Sequence, residues 1–145
     1  MTTVQTNVQP LTTEEVEKML EVAHAKAKEI GACCSLSVVD ARGDLLGMVR
    51  MDGARWNTID VSRGKAWGAA TFQRKSAEIS KEENPALVRS LVVLQGGRMI
   101  TSQGGVPVFR NGVLIGGAGG SGGRAFEDEA SSQAGVEAIG CSVTP

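Results

Sequence analysis

The glycine run from Gly116 to Gly123 lies directly behind Gly104-Gly105-Val106-Pro107-Val108-Phe109-Arg110-Asn111-Gly112-Val113-Leu114-Ile115. This is the stretch whose residue types best suit binding chemistry. Asn-Gly between two apolar runs predicts a hairpin, and the glycines behind it predict a tight loop whose backbone N–H groups approach a ligand closely. A helix opening just after that loop would aim unpaired N–H groups at a carboxylate or oxyanion beside Ser121, Gly122 and Gly123. The same glycines formally match a dinucleotide fingerprint, Gly117-x-Gly119-x-x-Gly122. Only 23 residues follow Gly122, too few for the second strand that carries a ribose-binding acid, and no Lys-Ser/Thr makes a phosphate loop. His24, the only histidine, is the single imidazole available to a metal or a proton.

These groups need elements to position them. Thr12-x-x-Glu15 has the form of a capping box, and Val16, Met19, Leu20, Ala23, Ala27 and Ile30 recur at helical spacing until Gly31. Ser35 to Val39 and Leu45 to Val49 read as strands joined through the turn formers Asp40 to Asp44. From Ile59 to Phe72 the pattern is helical but small, with Gly64, Ala66, Gly68, Ala69 and Ala70, which predicts close packing on a sheet or a second subunit. Asn84-Pro85 starts a helix to Leu94. A strand at Met99 to Ser102, the Val106 to Ile115 hairpin and a helix from Ala125 to Ile139 complete an α+β domain with an antiparallel sheet covered by helices.

Composition narrows the possible functions. The chain has 145 residues and 41% hydrophobic composition, which suits one domain over 1–145, with residues 1–10 an extended N-terminal segment. Fifteen basic against 16 acidic residues, spread along the chain, leave no footprint for nucleic acid or an anionic membrane. No apolar run approaches the ~20 residues that span a bilayer, and Met1 to Pro10 lacks the form of a signal peptide, so a cytoplasmic protein is expected. Three cysteines, Cys33 and Cys34 adjacent, are odd in number and lack zinc-ligand spacing, which fits a reducing compartment.

Gly104-Gly105-Val106-Pro107-Val108, the segment from Ile115 to Gly123 ending Ser-Gly-Gly, and Asp128-Glu129 followed by Ala134-Gly135 resemble the C-terminal signature of the GlcG/HbpS heme-binding family. That family includes the C-terminal domain of PduO-type proteins. Val38-Val39-Asp40 with Gly43, Arg50-Met51-Asp52-Gly53-Ala54, and Lys65-Ala66 match the same family in order. The resemblance covers about Leu11 to Ile139. It implies a profilin-like fold with a five-stranded antiparallel sheet, assembly as a homo-oligomer, and a small-molecule ligand, with heme or a related tetrapyrrole as the family's guess and otherwise no cofactor. Where the family often has an aromatic-Pro pair this chain has Ser102-Gln103, and where it often has bulky Ile and Val this chain has Ala118 and Gly120. A roomier, more polar pocket is therefore expected.

On this reading the pocket is lined by Trp67, the turn Gly104, Gly105, Val106, Pro107 and Val108, and the loop Ser121, Gly122 and Gly123, with Arg50 nearby. His24 lies at the border of the apolar stripe on the first helix and is the candidate axial ligand for heme, ahead of Met48, Met51 and Met99, whose strand spacing suits a core. The competing function is a cofactor-independent lyase, hydratase or isomerase acting on a small carboxylated or aromatic metabolite. Arg98 or Lys65 would anchor the substrate and Asp128 or Glu129 would carry the proton. Each has a plain alternative: acids in a first helical turn favour the helix dipole, and Arg50 and Asp52 suit a surface turn. Family surface iron sites use acid-x-x-Glu pairs; Glu14-x-x-Glu17 has that form but suits a solvated helix face. Cys33-Cys34 is the candidate oxidant sensor, against burial as small hydrophobes.

Overall fold

The computed structural model describes residues 7–145. Of the extended segment expected over residues 1–10, residues 1–6 lie outside the described residues, and 7–10 form neither helix nor strand. Helix α1 (Thr13–Glu29) opens on the cap its sequence predicts: the Glu15 N–H donates to the Thr12 hydroxyl and the Thr12 N–H to the Glu15 carboxylate, both at 3.1 Å. Strands β1 (Ser35–Asp40) and β2 (Leu45–Arg50) form one hairpin, and β3 (Gly105–Arg110) and β4 (Val113–Ser121) a second. The second turns at Asn111 and Gly112, with φ of 51° and 79°, the left-handed pair that a two-residue turn requires. The strands run in the order β2-β1-β4-β3, antiparallel at every pairing.

Among the described residues the sheet has four strands where five were expected. Met99 to Ser102 joins no strand edge because its backbone is held by a helix instead. The Ile100 N–H donates to Gly64 O at 3.1 Å as this stretch crosses the outer side of α2 (Thr58–Phe72). A Cβ on Gly64 would lie 2.7 Å from Arg98 O, and one on Gly68 would lie 3.1 Å from Ile100 O. The small residues of α2, expected to pack on a sheet or a second subunit, are thus covered by the chain itself, on this side by residues 98–100 and on the other by the sheet. A short helix that the pattern did not predict, α3 (Ser76–Glu82), buries Ser76, whose hydroxyl donates to Ser102 O at 2.7 Å. Helix α4 (Pro85–Leu94) starts as expected, with Asn84 accepting from the Ala86 N–H at 2.8 Å. None of its residues is buried, although six of the ten are Leu or Val.

The larger correction concerns the glycine run, which is not a loop: Gly116 to Gly120 lie within β4, and Gly122 and Gly123, followed by Arg124, connect it to α5 (Ala125–Ala138). On one face of the sheet α2 approaches so closely that Gly105, Gly117 and Gly119 have no room for a side chain. Added Cβ atoms would meet Ala66 O at 2.4 Å from Gly117, Ser62 O at 2.2 Å from Gly119, and Lys65 O at 2.2 Å from Gly105. The hydroxyl pairs Ser37–Ser62 at 2.7 Å and Ser35–Thr58 at 2.8 Å satisfy the polar groups trapped in this layer. On the other face Leu36, Val38, Val106, Val108 and Ile115 meet Val16, Met19, Leu20, Ala23 and Ala27 of α1 and Val136 of α5. Full burial of each Leu, Ile or Val there contributes roughly 1.5–3 kcal/mol. Ala118 joins this core and Gly120 abuts the backbone of Asp128, so the two substitutions expected to enlarge a pocket are filled by packing. Among the described residues no helix is long and apolar enough to cross a membrane.

Candidate functional site

Lys65 and Asp128, drawn from the sequence as anchor and proton carrier, do meet. Lys65 projects from α2 on one face of the sheet and Asp128 from α5 on the other, and they meet beside Gly120, near the end of β4. The Lys65 Nζ donates to Gly120 O at 2.9 Å and lies 3.5 Å from Asp128 Oδ2, while Asp128 Oδ1 accepts from the Gly123 N–H at 3.0 Å. Gly104 opens the passage: a Cβ there would sit 2.9 Å from both Cδ and Nζ of Lys65. Ser132 closes the group by donating to Gly104 O at 3.0 Å. The Lys65 and Asp128 side chains are only 7% and 2% exposed, so the pair is enclosed by protein. Burial pushes the Asp128 carboxyl up and the Lys65 ammonium down, each against the attraction of the other's charge. The geometry is that of a buried ion pair tying the two helical layers together through the sheet.

Gly122 and Gly123 serve the same junction. A Cβ on Gly122, where φ is +127°, would lie 2.5 Å from Cys33 O, so glycine is required by the chain's own backbone. Ser121 is buried in β4 opposite Ser35, and Val106, Pro107 and Val108 are buried strand residues. Arg50 closes the turn after β2 by donating from Nε and Nη2 to Ala54 O at 3.1 and 2.9 Å. Glu129, unlike its buried neighbour, pairs with Lys75 at 3.6 Å and borders an open groove of about 340 Å³ with Lys26 and Phe126. Glu14 and Glu17 are both exposed, and the described residues hold no metal-binding cluster of His, Cys, Asp or Glu.

Trp67 and Arg98, the remaining members, come together elsewhere, at the β1–β2 turn. With Gly43, Asp44, Leu45 and Arg63 they line a cleft of about 160 Å³. Arg63 and Asp44 were missed by the sequence reading, yet Arg63 stands four residues before Trp67 on α2 and so shares its face. His24 is partly exposed on α1, and its imidazole has no hydrogen-bond partner among the described residues.

The cysteines divide sharply. Cys33 is exposed and donates to Asp52 O at 3.2 Å, whereas Cys34 is fully buried with its Sγ 3.8 Å from Met51 Sδ. Burial first, then the neighbouring Asp128 and Cys33, push the Cys34 thiol up from 9.0 to about 12. In the unfolded chain this thiol ionises near 9.0, so its contribution to stability is intact below that pH and is lost as pH rises toward 12. Replacing Cys34 by Ala is expected to flatten the fall in melting temperature over that window. Ellman's reagent at pH 8 should find Cys33 alone reactive in the folded protein; prompt native-state reaction of Cys34 would contradict the burial.

The family model for haem degrading HbpS-like proteins matches residues 11–137. A 15.0 kDa protein encoded between dhaT and dhaS in Citrobacter freundii is 36% identical over 119 residues, covering 81% of this chain and 84% of that protein. The corrinoid adenosyltransferase PduO of Citrobacter freundii is 28% identical over 130 residues, 89% of this chain but only 39% of PduO. Among solved structures, the PduOC:heme complex superposes with a TM-score of 0.84 at 27% identity, covering 94% of this chain and all of that one (100%). HbpS superposes at 0.79 with 26% identity and 94% coverage of both chains. A match spanning nearly the whole domain, joined to the same helix-covered sheet in the solved structures, shows that this chain belongs to the HbpS-like family.

Proposed function

We propose that this protein binds heme, or a closely related tetrapyrrole, on its surface, with His24 as the iron ligand. The observation that carries the reading is the imidazole of His24: the sole histidine, partly exposed and unpartnered, in a fold that superposes on a chain solved with heme. A surface position is favoured over an enclosed one by the small void between α1 and the sheet, lined by Met19, Leu36 and Ala118, which is about 10 Å³, barely one water. Bound iron would supply redox and ligand-exchange chemistry, and the His24 imidazole would hold it. We further propose a cytoplasmic homo-oligomer. Three free thiols support the reducing compartment, and the exposed apolar surface of α4, with Val93 77% and Leu94 80% exposed, supports self-association. The enzymatic alternative has less support, because Lys65 and Asp128 are spent on each other and Arg98 lies apart from both.

Hemin titration tests the reading. A saturable, sharpened Soret band at one equivalent per chain is expected, and His24→Ala should shift that band and weaken binding at least tenfold. A spectrum that grows linearly without saturation, or one unchanged in His24→Ala, would overturn it. Light scattering on the same samples should give a mass above that of one chain; a monomer throughout removes the oligomer.

A further inference from the structure

We propose that the cleft at the β1–β2 turn is a second binding site, for a small organic carboxylate that carries an amino or hydroxyl donor. Arg63 and Arg98 approach it from α2 and from the stretch after α4, and both keep unspent donors. Arg98 uses only Nε, toward Gln95 O at 3.1 Å, and its terminal nitrogens have no protein acceptor among the described residues. Arg63 reaches only the exposed Asp60, at 3.7 Å, too long for a hydrogen bond. Asp44 also lines the cleft, and its carboxylate pairs with neither arginine and accepts no hydrogen bond among the described residues, although its backbone N–H is fixed to Asp40 at 3.0 Å. Two guanidinium groups and one carboxylate therefore share a cleft without neutralising one another.

That arrangement selects a ligand class. A carboxylate suits the planar fork of a guanidinium, and a net lining charge of one positive unit suits a single carboxylate group better than a phosphate dianion. Asp44 is an acceptor only, so it favours a donor on the ligand a few ångströms from the carboxylate. The space, about 160 Å³, suits a molecule of a few heavy atoms. Trp67 makes a fixed wall. Its indole N–H donates to Arg42 O at 3.1 Å, and its ring lies so close over Gly43 that a Cβ there would be 1.4 Å from it. The site shares no residue with the His24 reading, so either can fail alone.

The test uses the intact protein and three near-isosteric probes, L-lactate, L-alanine and propionate, with inorganic phosphate as the fourth. The readout is the ¹⁵N-labelled Trp67 indole resonance, assigned with Trp56→Phe. Lactate or alanine is expected to give a saturable shift at a concentration at least tenfold below propionate and phosphate, and whichever is stronger identifies the donor as hydroxyl or ammonium. Arg63→Gln or Arg98→Gln should raise the midpoint roughly tenfold, the lower end for a charge-assisted hydrogen bond. Asp44→Asn should bring the favoured probe to within about threefold of propionate, since the amide accepts more weakly. All three side chains stand at the surface, so these variants are expected to melt within a few degrees of the parent. No saturable shift with any probe, equal binding of propionate or phosphate, or binding that survives the double arginine variant would overturn the proposal.

Discussion

Gly119→Ala is expected to yield little soluble folded protein, with a melting temperature lowered by more than about 10 °C in whatever folds. One methyl group is enough because its neighbours cannot move aside singly. The added Cβ would be 2.2 Å from Ser62 O and 2.7 Å from the Ala66 nitrogen, both backbone atoms of α2, so the whole helix must shift by about an ångström. That shift would also break the buried Ser37–Ser62 contact at 2.7 Å. Overpacking typically costs about 1–3 kcal/mol, and contact between two backbones lies at or above the top of that range. Gly47→Ala is the control. Its Cβ would meet methyl groups of Val16 and Leu20 at 2.9 and 3.1 Å, and side-chain methyls can turn away. Equal losses in the two variants, measured by thermal denaturation, would show that close approach of α2 is not what requires the glycine.

Lys65→Met is expected to destabilise the protein by about 3–5 kcal/mol, because it leaves the buried Asp128 carboxylate without its cation and removes the donor to Gly120 O. For a chain of this size that corresponds to a fall of roughly 10 °C or more in melting temperature. The double variant Lys65→Met/Asp128→Leu should recover most of the loss, since an apolar pair of similar volume needs no desolvation of charge. A single variant as stable as the parent would mean that the pair is solvated and open to a ligand, which would return Lys65 and Asp128 to the list of catalytic candidates. Failure of the double variant to recover would place the cost in the hydrogen bond between Asp128 and the Gly123 N–H instead.

The correct and incorrect sequence expectations separate by the range of the forces involved. The cap at Thr12, the helix start at Asn84-Pro85 and the Asn111-Gly112 turn form as read, because each is a hydrogen bond or a backbone dihedral settled within four residues. The glycine run was misread because glycine carries no side-chain period. A strand pressed against a helix backbone and a ligand-binding loop share the same letters. Met99 to Ser102 has strand composition, but the partner that takes its backbone N–H is Gly64 of a helix, which composition does not indicate.

By itself, then, the sequence determined the local punctuation of the chain, the α+β class and, through linked motifs along most of its length, the family. Only the tertiary structure decided which charged residues act together. Lys65 joins Asp128 across 63 positions and through the thickness of the sheet, while Arg98 joins Arg63, Trp67 and Asp44 at the far turn. The physical reason is that burial and ion pairing depend on separations in space. Those separations are fixed here by how closely α2 can press on Gly105, Gly117 and Gly119, where the sheet presents it with no side chain.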